Sequence, residues 1–205
     1  MSAEILIAFI AASWLLAWTP GPMMSLILAN VSSYGLAAGL WTLAGSLLGL
    51  SVLVTAAALG MTSLMVFISE WFELIRWVGA LYLAWLGVQR LRRVWRSNGS
   101  LPERPVSGRS WFLQAFTVSL SNPKVLLFLG AFLPQFVDKS GDVPLQLTVL
   151  AVTFVIVVGS ADAAYTVAVG KMRGLLAPGR LKLLDGLSGL LLLLGGLVLA
   201  TARRP

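Results

Sequence analysis

The sequence predicts an all-α polytopic membrane protein of about six transmembrane helices, arranged as two inverted three-helix repeats with broken helices 1 and 4. Three observations predict it. Of the 205 residues, 58% are hydrophobic and 11% charged, and the mean hydropathy is +0.89, which leaves too little polar surface for a soluble domain. Six apolar runs approach or exceed the ~20 residues that cross a bilayer core. The first and fourth of these runs carry proline at depth.

The runs fall at about 5–32, 37–60, 74–91, 111–137, 145–169 and 184–201. Residues 61–70 are apolar too, so the second boundary is loose. The first run opens MSAEILIAFIAASWLLAW, lacks a basic n-region and has Glu4 as its first charge. It continues past its own break, so it reads as a retained span rather than a signal peptide. The long polar connection, residues 92–110, holds two prolines, two glycines and many of the arginines. It joins a first repeat of about 1–91 to a second of about 111–205, within one transmembrane domain spanning 1–205.

The formal net charge is +7 and the pI about 10.6. In a soluble chain that would raise a nucleic-acid partner. Here the charges sit between spans and act as an orientation signal, so no nucleic acid is expected. One side receives Arg90, Arg92, Arg93, Arg96, Arg104, Arg109, Lys171, Arg173, Arg180 and Lys182. The other receives Arg76, Lys139, Arg203 and Arg204. The excess marks the cytoplasmic side, which puts both termini outside and the 92–110 loop in the cytoplasm. A five-span alternative, with one segment lying on the surface, would bring the C-terminus inside. Trp71 and Trp77 near one boundary, and Trp95 and Trp111 near the other, read as interface anchors.

The sequence has no cysteine and no histidine. Disulfides, thiolate metal sites and thiol redox chemistry are excluded. The commonest metal ligand and the commonest near-neutral proton carrier are also missing.

The first run breaks at TPGP, with Thr19, Pro20, Gly21 and Pro22. Each proline lacks an N–H and blocks a carbonyl one turn back, and glycine permits a turn or a close approach. Irregular backbone at membrane depth survives only where it is buried or lines a polar cavity. The fourth run repeats the pattern in LSNPKVLLF, with Asn122, Pro123 and Lys124. Thr and Asn are N-cap residues and proline suits the first helical position. Thr19–Pro20 and Asn122–Pro123 are therefore each expected to start a half-helix whose N-terminus attracts an anion. Interrupted spans at matching places in two three-span halves point to an inverted-repeat transporter with a midplane site.

Lys124 lies about 13 residues into its run, about 20 Å at 1.5 Å per residue. A lysine there costs on the order of 2.5–3.5 kcal/mol. Structurally it would neutralise a buried carboxylate or cap a broken helix; functionally it would hold an anion. Asp162, in GSADAAY, is the acid well inside a span. It is open to three roles: pairing with Lys124, binding a substrate ammonium, or carrying a proton. Arg76 reads as a surface partner of Glu73, and Asp185 as interfacial. Gly35, Gly39, Gly45 and Gly49 give span two small-residue faces suited to tight packing or to lining a path, within one chain or in a homo-oligomer.

A membrane enzyme would have to use a Ser–Lys pair, Ser121 or Ser119 with Lys124. A purely structural subunit would not carry a deep lysine and two helix breaks.

TPGPMMSLIL, GLAAGLWTLAGSLLG, WVGALYLAWLGVQRLR and LSNPKVLLFLGAFLPQFVD follow in that order. Over about residues 5–200 the chain resembles the lysine exporter and homoserine/threonine resistance (LysE/RhtB) family of amino-acid exporters. The resemblance implies a cytoplasmic-membrane secondary transporter of about six helices. It would move amino acids or close derivatives outward, by proton antiport and with no bound cofactor or metal. It places the family's motifs on Pro20, Gly21 and Pro22, on Asn122, Pro123 and Lys124, and on Pro134 and Gln135. Met23 departs from the family, where asparagine is common, and points to a larger or less polar substrate.

Overall fold

The computed structural model describes residues 1–59, 61–96, 107–138, 140–173 and 178–201. The side chains of 61–76 and of Asp185 lie outside that description. So do the expected Glu73–Arg76 pair, the interfacial placement of Asp185 and, among the counted charges, Arg104, Lys139, Arg203 and Arg204, together with the side chains of Arg93, Arg96 and Lys182. Among the described residues every element is helical.

The first span consists of α1 (Ala3–Trp18) and α2 (Pro22–Tyr34), bent by 51° at the intervening break. Helix α3 (Leu36–Leu59) follows after Gly35, whose φ of +87° is the left-handed value that favours glycine at a helix end. Helix α4 runs Met61–Arg96, so the third helix begins well before the expected 74–91. Residues 61–70 contain neither glycine nor proline, and nothing in them stops a helix. The fourth span comprises α5 (Gly108–Leu120), α6 (Pro123–Leu127), a π-helical turn (Phe128–Phe132) and a 3-10 turn (Leu133–Phe136). Helices α7 (Val143–Arg173) and α8 (Pro178–Thr201) complete the bundle.

Residues that meet across helices fix how the ends assemble. Arg173 Nε donates to the Ser32 carbonyl (3.0 Å), Tyr34 packs against Trp111, and Trp41 stands beside Gly108. These contacts gather the end of α2, the starts of α3 and α5, and the end of α7 at the basic end. At the other end Phe9 of α1 packs on Phe136 (5.1 Å between centroids), and Gln146 of α7 exchanges hydrogen bonds with the Asp138 backbone. Antiparallel α4 and α8 pack along each other, with Gly186 beside Val94 and Gly196 beside Ala80. Helix α3 packs on α5 as α7 packs on α1 and α2, and α3 also meets α7. Exchanging the two halves of the chain preserves these pairings. The α2–α8 and α2–α3 packings have no such counterpart among the main helix pairs.

The surface is apolar and the polar side chains are inside. Leu15, Leu59, Leu81, Ile156 and Leu197 are exposed, while Asn30, Thr42, Ser46, Arg90, Asp162 and Thr166 are buried. That inversion suits a solvent of lipid tails, where association depends on close packing and interhelical hydrogen bonds. Helix α3 supplies the close packing. A Cβ on Gly45 would stand 2.2 Å from the Phe112 carbonyl oxygen, and one on Gly49 would stand 2.7 Å from Ser119 Cβ. Of the two readings of that small-residue face, tight packing is the one the contacts show at these positions.

Gly45→Ala is therefore expected to push α5 off α3 and cost about 1–3 kcal/mol, lowering the thermal midpoint in detergent. Gly130→Ala, where an added Cβ meets nothing within 4 Å, should leave the midpoint unchanged or raise it.

Candidate functional site

The two breaks are built differently, although both arise from proline. A residue that precedes proline is forced out of the helical region. Thr19 precedes Pro20 and is extended (ψ 125°); Gly21 precedes Pro22 and is extended (φ −160°, ψ −177°). A helix can resume only after the second proline, so α2 starts at Pro22 with Gly21 as its N-cap. The expectation that Thr19 and Pro20 open the second half-helix is thus corrected. Thr19 closes the first one: its N–H reaches the Leu15 and Leu16 carbonyls, and its Oγ1 donates to Leu15 O at 2.8 Å. Gly21 is not required by its dihedrals. Its hydrogen faces the Lys124 side chain, which a Cβ there would touch at 3.7 Å.

In the fourth span, Ser121 ends α5 and Asn122 is the N-cap of α6, its Oδ1 accepting from the Lys124 N–H at 3.2 Å. Pro123 takes the first helical position. This matches the local logic read from the sequence. Helix α6 is only five residues long before the π-helical turn begins, and its first free amide is already used by Asn122.

Lys124 joins the two breaks. Its Nζ donates to the carbonyls of Leu16 (2.8 Å) and Thr19 (2.9 Å). Leu16 O is the acceptor that a Pro20 N–H would serve in a continuous helix. The lysine of one broken span thus replaces a donor missing from the other and places a cation at the negative end of α1. Of the structural roles weighed for Lys124, helix capping is the one observed. Two of its three N–H donors are used, leaving one.

Asp162, within α7, is buried, and its Oδ2 accepts from Ser46 Oγ of α3 at 3.0 Å. Ser119 Oγ of α5 donates to the Ser46 carbonyl at 3.2 Å. Lys124 and Asp162 do not form a direct ion pair, but they line one cavity together with Ser46, Ser119 and Asn122. Met23 and Met24, the first amide-bearing residues of α2, line it too. Their N–H groups have no acceptor among the described residues, because Ser25 is the first to bond back, to Gly21 O at 3.0 Å. The cavity holds about 20 Å³, which is room for one or two waters. Neither serine suggested as a nucleophile is poised by the lysine: Ser121 Oγ donates to Thr117 O and Ser119 Oγ to Ser46 O.

Closer to the basic end lies a polar cluster that the sequence did not reveal. Arg90, counted there with the loop charges, is buried, with its guanidinium donating to Ala29 O (3.1 Å), Ser33 Oγ (3.4 Å) and Asn30 Oδ1. Asn30 Nδ2 in turn donates to Thr42 Oγ1 (2.8 Å) and Gln114 Oε1 (3.3 Å). Helices α2, α3, α4 and α5 are tied together by these bonds. Asn30 inside an apolar helix was the available signal.

Cutting that cluster leaves buried acceptors without donors. Arg90→Met is expected to destabilise the protein by about 2–4 kcal/mol, read as a loss of thermal stability in detergent. Arg92→Met, at an exposed position, should change it by less than about 0.5 kcal/mol.

A family profile described as LysE type translocator matches residues 14–203. A homoserine/homoserine lactone efflux protein of Salmonella typhimurium is 30% identical over 209 residues, covering 99% of each chain. A leucine efflux protein of Klebsiella pneumoniae is 31% identical over 140 residues, covering 67% of this chain and 66% of its own. An uncharacterized membrane protein of Vibrio cholerae is 28% identical over 204 residues, covering 99% of this chain and all of its own. No solved structure matches. With nearly the whole chain matched and the broken first and fourth spans in place, this membrane protein belongs to the LysE type translocator family.

Proposed function

We propose that the protein exports amino acids or close derivatives across the cytoplasmic membrane by proton antiport, through the cavity between the two helix breaks. The observation that carries this reading is that Lys124 and Asp162 line the same cavity. They offer one positive and one negative group to a zwitterion. The substrate carboxylate takes the remaining Lys124 donor and the free Met23 and Met24 amides at the start of α2. The ammonium takes the Asp162 carboxylate. The relatives named for homoserine and leucine efflux support an amino-acid substrate.

In this reading the basic end faces the cytoplasm, both termini lie outside, and the two halves of the chain are inverted repeats that rock about the cavity. The present cavity is too small for an amino acid, so the conformation is a closed one. It is sealed on the basic side by the Arg90–Asn30 cluster. On the other side the reading assigns the seal to Phe9, Phe128 and Phe154, with Phe128 stacked on Phe154 and Phe9 tilted against both. Protons carry the coupling through Asp162, the buried acid of the cavity.

Efflux of labelled amino acids from cells, at matched expression, tests the assignment. Asp162→Asn and Lys124→Ala are each expected to reduce efflux about ten-fold or more. Because Lys124 also caps α1, Lys124→Ala is read alongside its thermal midpoint, and the near-isosteric Asp162→Asn stands as the independent variant. Native efflux rates retained by both would contradict the site. A protonophore should abolish outward accumulation by the native protein; accumulation that persists would contradict proton coupling.

A further inference from the structure

Three features of the cavity bear on the side chain of its substrate. The first is the charge balance. Among the described residues lining it, Lys124 and Asp162 are the charged ones, and a zwitterion's own carboxylate and ammonium match both. A third charge on the substrate would be desolvated with no counter-charge.

The second is the state of the neutral polar groups. The hydroxyl protons of Ser46 and Ser119 are committed to Asp162 Oδ2 and to Ser46 O, and Asn122 Oδ1 holds the Lys124 amide, which leaves Asn122 Nδ2 as the side-chain donor among these three without a partner among the described residues. The rest of the wall comprises Leu16, Met23, Met24, Leu50, Val125 and Val158, with Ala17 between. A substrate hydroxyl or amide turned that way would leave water for apolar surface, whereas an aliphatic chain would gain by the same move.

The third is adaptability. With about 20 Å³ open in the closed form, a substrate side chain gains its space by moving protein side chains aside. Met23 and Met24 stand side by side in the first turn of α2, next to the break. Unbranched and flexible, methionine reshapes at lower cost than leucine or valine.

From these we infer that the transported molecule is a neutral amino acid with an aliphatic side chain, and that Met23 and Met24 set that preference. The inference rests on the amino-acid reading above and narrows it. Charged amino acids are excluded by the single pair of opposite charges. Hydroxylated ones are disfavoured by the methionine wall. The carboxylate and ammonium ends stay at Lys124 and Asp162, so changes at the methionines alter selectivity without removing the groups that hold the zwitterion.

Counterflow in proteoliposomes of the purified full-length protein provides the test. L-leucine, L-methionine, L-threonine, L-lysine and L-glutamate are each labelled and measured singly at equal concentration. Leucine and methionine are expected to exchange about ten-fold or more faster than the other three. Met24→Asn, at a half-buried position, should raise the threonine-to-leucine ratio about ten-fold. Met23 is buried in the core, so Met24→Asn, and not a change at Met23, is the variant that decides. Counterflow led by lysine, glutamate or threonine would overturn the inference and leave amino-acid transport standing. A native threonine-to-leucine ratio in folded Met24→Asn would overturn the role of the methionines. Counterflow of none of the five would overturn the amino-acid reading itself, and this inference with it.

Discussion

One ammonium group holds the interior of this protein in register. Lys124 reaches from the start of α6 to two carbonyls at the end of α1. Without it those carbonyls would end a helix at the break with too few donors. With it, the chain can stop α1, run extended through Pro20 and Gly21, and restart at Pro22 while the Leu16 and Thr19 carbonyls keep a donor. The restart leaves the amides of Met23 and Met24 without acceptors among the described residues, at the start of a helix whose first turn lines the cavity. The interaction is also mutual. Lysine at this depth is costly in hydrocarbon, and the end of a helix dipole together with two carbonyl oxygens is a setting that accepts it. Each broken span thereby makes the other tolerable, and neither break is explicable alone.

Helix α3 shows how the same stripe serves packing and polarity. Thr42, Gly45, Ser46 and Gly49 recur at three- and four-residue spacing, so they share one face. The glycines let α5 approach to backbone contact. The hydroxyls meet Asn30 on one side and Asp162 on another. Two polar layers result, one turn apart: Asp162 with Ser46, then Thr42 with Asn30, Gln114 and Arg90. Leu50 and Val125 of the cavity wall belong to a core that also holds Phe9, Phe128 and Phe154, with Phe128 stacked on Phe154 at 5.0 Å. The two sets of contacts differ in kind: the polar layers are held by hydrogen bonds that water can replace at small net cost, whereas the aromatic core is held by burial of apolar surface.

Much of the fold was legible because lipid simplifies the code. Apolar runs had to be helices, and proline had to break them. Lys124 and Asp162 stood out as charges at depth, and the structure brings them to one cavity. Local chemistry was harder to read. Thr19 looks like an N-cap, yet a second proline two residues later delays the new helix and turns Thr19 into the C-cap of the old one. Arg90 resembles its neighbours Arg92 and Arg93 in sequence, and only the position of α4 against α2 distinguishes it. The early start of α4 was missed because a polar-apolar count sees no boundary in 61–70. The π-helical turn after α6 leaves no signature that residue types alone would reveal.

The central claim is that the two helix breaks form the cavity through which substrate passes. The chain contains no cysteine, so a thiol can be placed there alone. Ser119→Cys puts one on the cavity wall at a buried position, and its alkylation rate in proteoliposomes reports access to the cavity. The measurement is that rate with and without a saturating amino acid that the same preparation is shown to transport. The account predicts that the transported amino acid slows alkylation, and that an amino acid which is not transported leaves it unchanged. A rate unaffected by the transported substrate would place the pathway elsewhere and contradict the account.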